Sequence, residues 1–172
     1  MQQYRDAYST RDIEQVRLIE GQAFSLGYVR TFLDPLPAGQ SIDIALAFPS
    51  GMNPIMSISG LSSGNAIGYL YEGSVVSGGT PLTIIKRNRA STITSQGVAI
   101  VNPTITSLGT LVLQEILTGG LGKKGGGGEA GGNNLILKGL TPYLFRLTNA
   151  DTSGGGGGGT SHAAEIILSW NE

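Results

Sequence analysis

The sequence predicts an all-β protein: an antiparallel β-sandwich, jelly-roll-like, with a short N-terminal arm or helix. Three observations carry this prediction. Apolar and polar residues alternate in runs of strand length, and glycine- and proline-bearing turns separate the runs. No interior segment carries a long stripe of period 3.6, which argues against parallel α/β architecture. Eight or so strands suit two four-stranded sheets, hence the jelly roll, although periodicity does not separate it from an immunoglobulin-like Greek key.

The elements follow in order. Residues 1–20 form the arm. Its stretch STRDIEQVRLIEG offers Ser9 or Thr10 as a cap and Asp12 and Glu14 for the first turn. Ile13, Val16 and Ile19 lie roughly on one side, and Gly21 ends the pattern. The run is short and rich in charge, so a helix and an extended arm ordered by a neighbour both fit it. Residues 21–172 form a single domain.

In SIDIALAFPSG, Ile42, Ile44, Leu46 and Phe48 face one way, while Ser41, Asp43, Ala45 and Ala47 face the other. Pro49, Ser50 and Gly51 stop that strand. GYLYEGSVV, PLTIIKRNR, STITSQGVAIV and GTLVLQEIL read as further strands. In PYLFRLTN, Tyr143, Phe145 and Leu147 oppose Leu144, Arg146 and Thr148. In AAEIILSWNE, Ile166, Leu168 and Trp170 oppose Glu165, Ile167 and Ser169, which makes Trp170 a core residue.

Glycine-rich loops at 119–132 and 153–161 interrupt this pattern. A phosphate loop requires G-x-x-x-x-G-K-[ST]. Here Leu117 stands where the first glycine belongs, and Lys124 takes the place of the hydroxyl after Gly122-Lys123. A domain linker fails as well, because the two strands beyond the first tract cannot bury a face in water by themselves. The tracts are therefore long interstrand loops, either mobile at a surface or held in an intersubunit contact.

Composition narrows the function. There is no cysteine, the net charge is -1, and 13% of residues are charged, about half the usual share. Nothing favours nucleic acid or an anionic membrane as a partner, and no segment approaches the roughly 20 apolar residues of a span. His162 is the only histidine, with no G-x-S-x-G elbow, and reads as a solvated loop residue. Asp34, Asp43, Glu72, Glu115 and Asp151 are scattered singly, which gives neither a calcium loop nor a defined glycosidase pair, although Asp43 and Glu72 could meet across a sheet. Lys86 to Arg89, KRNR, is the one compact basic cluster and reads as a solvated strand end or an ion-paired interface. The expectation is a non-enzymatic protein with no metal or cofactor.

The run NNLILKGLTPYLFRLTN, then a variable loop, then AAEIILSWNE resembles tailed-bacteriophage structural proteins, specifically capsid decoration, or cement, proteins. IEGQAFSLGYVRTFLDPLPAGQSIDIALAFPSG and LTIIKRNR share the resemblance. It implies a virion protein, commonly a homotrimer, made in the host cytoplasm and bound to the capsid exterior over joints of the major capsid protein. In the arm, Tyr4, Arg5, Tyr8 and Arg11 are the expected capsid contacts, since Tyr and Arg concentrate interface energy. The alternative is a fibre or tail-tip module that binds host-surface carbohydrate, which would need exposed aromatic residues.

Overall fold

A computed structural model describes residues 13–117, 128–129, 135–151 and 160–172. The described residues start with a helix, α1 (Ile13–Glu20). Its end is set by Gly21, whose φ of +79° is a left-handed conformation that side chains resist. From there the Gly21 amide reaches the Leu18 carbonyl and the Gln22 amide reaches Arg17, the paired bonds of a Schellman cap. An added Cβ at Gly21 would also run into the Ser91 side chain, so the position is closed to larger residues twice over.

Fourteen strands follow among the described residues. They are β1 (Ala23–Arg30), β2 (Ser41–Ala47), β3 (Ile55–Ser62), β4 (Ala66–Glu72), β5 (Val75–Ser77), β6 (Thr80–Pro81) and β7 (Ile85–Lys86). Then come β8 (Val98–Val101), β9 (Thr104–Ser107), β10 (Thr110–Leu117), β11 (Gly128–Glu129), β12 (Leu135–Ile136), β13 (Tyr143–Asn149) and β14 (Ala164–Asn171). Every pairing is antiparallel. Sheet one runs β7-β1-β14-β3, with β11 and β12 each pairing to β3. Sheet two runs β10-β4-β13-β2-β8-β6, and β5 with β9 makes a separate ribbon.

The two sheets pack as sandwich layers through the apolar faces of their central strands. On β14, Ala164, Ile166, Leu168 and Trp170 are buried while the residues between them are partly exposed. On β2, Ile42, Ile44 and Leu46 are buried, and Phe48 continues their line just beyond the strand. These side chains join Phe24 and Leu26 of β1 and Phe145 and Leu147 of β13 in one apolar cluster. The register adds the converse: Leu144 and Arg146 lie on the outward side of β13, opposite Ala45 and Asp43.

Two expected strands are cut short. Only Pro81 and Ile85–Lys86 of PLTIIKRNR and Val98–Val101 of STITSQGVAIV pair in sheets. Between them, the Asn88 side chain accepts from Ala90 N and the Ser91 hydroxyl from Ile93 N. Such local bonds offer the backbone an alternative to the ladder. Within the first glycine tract, Gly128–Glu129 pair with Ser59 and Gly60 as β11. The rest of that tract, residues 153–159 of the second and the expected contacts Tyr4, Arg5, Tyr8 and Arg11 lie outside the described residues.

Candidate functional site: the loop-bearing end

Register places four connections at one end of the sandwich. Leu117 pairs with Ala66, and Ala66 with Asn149. In sheet one, Ala164 pairs with both Ser62 and Arg30. Both glycine tracts therefore depart from the end that also carries residues 31–40 and 63–65.

The roots of the second tract are tied by a polar network. Leu36 and His162 exchange backbone bonds at 2.7 and 2.9 Å. The Asn149 amide donates to the carbonyls of Leu36 and Thr160, both at 2.9 Å, while its oxygen accepts from Asp151 N. Asp151 takes three side-chain donors: Asn65 at 2.9 Å, the Thr160 hydroxyl at 2.6 Å and His162 Nε2 at 2.7 Å. The Thr160 hydroxyl and the Asn65 amide, with His162 behind them, hold the Asp151 carboxyl below its usual range.

His162 is therefore not the solvated loop residue that the sequence suggested. It is 8% exposed, and its ring packs so tightly on Gly64 that a Cβ there would overlap it. The reason is the return of the chain after the glycine tract, which forms a bridge to Leu36 and brings Asp151 to the imidazole. Three nearby hydroxyls bond to groups other than the imidazole. The Thr160 hydroxyl is bonded to Asp151, Ser62 accepts from Gly64 N, and Ser63 accepts from Ala163 N. What the arrangement does is fasten the two ends of a loop.

Beside this network the turn after β1 presents two large apolar side chains to solvent. Phe32 is 80% exposed and Leu33 98%. The turn is nonetheless pinned. Arg30 donates to the carbonyls of Asp34 and Pro35 and forms a 2.8 Å ion pair with Asp34. Leu33 N reaches the Thr31 hydroxyl, and Asp34 N reaches the Thr31 carbonyl. The sequence signal was available in RTFLDP, an apolar pair between an Arg and an Asp four residues apart, yet nothing local distinguishes it from a core segment.

The other candidates separate. Asp43 and Glu72 do not face each other. Asp43 forms a two-pronged pair with Arg146 at 2.7 and 3.0 Å on the outer side of sheet two. Glu72 reaches Lys138 at 2.6 Å and the Tyr143 hydroxyl at 3.1 Å, near the opposite end. The Lys138 ammonium holds the Glu72 carboxyl low, and burial pushes the Tyr143 phenol up. Of KRNR, Lys86 donates to the Ser91 carbonyl and Asn88 to the Ile19 carbonyl, which fastens α1 to the sandwich. Trp170 is core, in contact with Phe24 and Phe48. Tyr69 and Tyr71 instead lie side by side outside sheet two, ring centroids 5.9 Å apart.

Among the described residues no three His, Asp or Glu side chains gather as metal ligands, and no helix is long and apolar enough to cross a membrane. No family model, curated protein or solved structure matches the chain.

Proposed function

We propose that the protein is a non-enzymatic structural subunit of a virion: a capsid decoration protein that binds the outside of an assembled phage head and stabilises contacts between capsid subunits. The observation that carries this reading is Phe32 and Leu33, held out to solvent by a turn that is itself ordered. Apolar side chains presented on a fixed turn suit a subunit that buries them in an assembly. The polar groups best placed for chemistry support it too. Asp43, Glu72, Asp151 and His162 are all committed to bonds that hold strands and loops together. The strand order supports the jelly-roll form of the fold: β1-β14-β3 with β11 and β12 in one sheet, and β2-β13-β4-β10 in the other.

The mechanism is mechanical. A subunit that binds the joined lattice better than free capsid proteins raises the stability of the joined state by linkage. Electron microscopy should find the protein on the exterior of heads. Heads stripped of it should break at lower temperature or under weaker osmotic shock, and recover on its return. Stripped heads as robust as intact ones would remove the cementing role.

A second reading, a fibre or tail-tip module for host-surface carbohydrate, draws on one observation. Tyr69 and Tyr71 form an outward aromatic pair beside the Asp43–Arg146 pair on sheet two. Aromatic faces next to planar polar groups suit a sugar. Glycan-array binding that disappears in Tyr69→Ala would favour it over decoration.

A further inference from the structure

We infer that Phe32 and Leu33 of one subunit seat in a groove on a second copy of the same chain. The groove lies along the side of the sandwich, where the edge strands of the two sheets approach each other. It is an open depression of about 300 Å³, lined by Pro81, Leu82, Ile84, Lys86, Val98 and Ala99, with Thr94, Ser95 and Gly97 at its polar margin. Leu82 and Ile84 rest on the core, so the floor is firm, while Val98 is largely exposed.

Size favours this groove over the apolar space between the sheets. A cavity of roughly 150 Å³ accommodates benzene, so 300 Å³ takes a phenyl ring together with a leucine side chain. The space between the sheets, lined by Ile58, Leu70, Leu113, Leu117, Phe145 and Ile166, measures about 40 Å³ and is too small for either.

Charge also matches. The one charge at the tip of the turn is Asp34, whose side chain is 71% exposed and bonded to Arg30 through one oxygen, leaving the other free. The one charge lining the groove is Lys86, whose ammonium spends a single bond on the Ser91 carbonyl and retains two donors. An anionic membrane is a poor occupant for the tip, because the exposed charge there is the Asp34 carboxylate, while Arg30 is part-buried and paired with it. A protrusion and a recess on different parts of one surface join copies into a closed assembly when the rotation between them closes. This inference concerns self-association. It rests on the assembly reading above, yet it is tested without any particle.

The test uses the full chain and measures mass in solution by light scattering at micromolar concentration. The unaltered chain should exceed its monomer mass of 17.8 kDa. Phe32→Ser with Leu33→Ser should give folded monomer, and so should Val98→Glu with Leu82→Lys, which obstructs the groove. Mixing these two variants should produce a one-to-one dimer, because the obstructed copy still has its tip and the tipless copy still has its groove. A monomeric unaltered chain would overturn the inference, as would an assembly that survives loss of the tip, or variants that remain monomeric when mixed. Circular dichroism separates an unfolded variant from a dissociated one. If Leu82→Lys proves disruptive, Thr94→Trp fills the same groove from its exposed margin and must give the same result.

Discussion

The two ends of the sandwich are closed by different chemistry. At the end where β1 begins and β14 finishes, Trp170 fills the space between sheets, its ring centroid 6.2 Å from Phe24 and 5.8 Å from Phe48. At the other end, Asp151 gathers Asn65, Thr160 and His162. The first closure is dispersion and apolar burial, which tolerate no removal of volume. The second is a set of directional bonds, which can be opened without disturbing the core. An end that must release long loops is better served by bonds than by packed rings, and both glycine tracts depart from that end.

The largest expected effect falls on the aromatic end. Trp170→Ala should cost about 3–5 kcal/mol in denaturant unfolding, because the ring is fully buried and its loss leaves a cavity. A cost near 1 kcal/mol would mean that packing does not close this end. Next, Asp151→Ala should cost about 1 kcal/mol, the net worth of a typical hydrogen bond, because the exposed Asn65 and Thr160 donors it frees can turn to water. Proteolysis within the second glycine tract should accelerate in this variant more than cleavage elsewhere. Uniform acceleration would make the carboxylate part of the general scaffold rather than a loop fastener.

A pH titration sharpens the contrast. Asp151 has a lowered pKa in the fold, so its contribution is complete above the ordinary aspartate range near pH 4 and is lost as pH falls through the folded value. Stability of the natural chain should therefore fall more steeply below about pH 4 than that of Asp151→Asn, which has no carboxyl to protonate. Glu72 titrates in the same direction through Lys138, but that pair is open to solvent and its variant should alter the acid limb less. The smallest effect belongs to Phe32→Ser with Leu33→Ser. The unfolding free energy of the dissociated chain should change by no more than about 0.5 kcal/mol, since both side chains are already in water. A larger loss would show that the turn supports the fold.

How much of this was legible depended on whether a strand has one wet face. β14 alternates cleanly, and β2 and β13 do so apart from Ala45 and Leu144, which are buried on the outer side. The inward residues of all three were readable as written. β1 and β3 carry Ser25, Gly27, Ser57, Ser59 and Gly60 among their apolar residues, and that dilutes the pattern. They are strands because β14 hydrogen-bonds along both of its edges, a long-range fact with no local trace. The fastening of Asp151 to His162 was equally hidden. Their 11-residue separation matches no motif, and only the bridge from Leu36 brings the imidazole to the carboxylate. The exposed turn was misjudged by omission, because Phe and Leu in sequence suggest a core whichever way they point.

The position of β14 bears on how the chain reaches its fold. β14 is a central strand of sheet one, with β1 along one edge and β3 along the other, yet it spans residues 164–171. Until those residues leave the ribosome, β1 and β3 have no partner between them and their apolar sides stay unmatched. Ordering sheet one is therefore a late, long-range event that joins segments about 100 to 150 residues apart, the kind of topology that folds slowly. A nascent chain stalled before residue 164 should remain a substrate for chaperones.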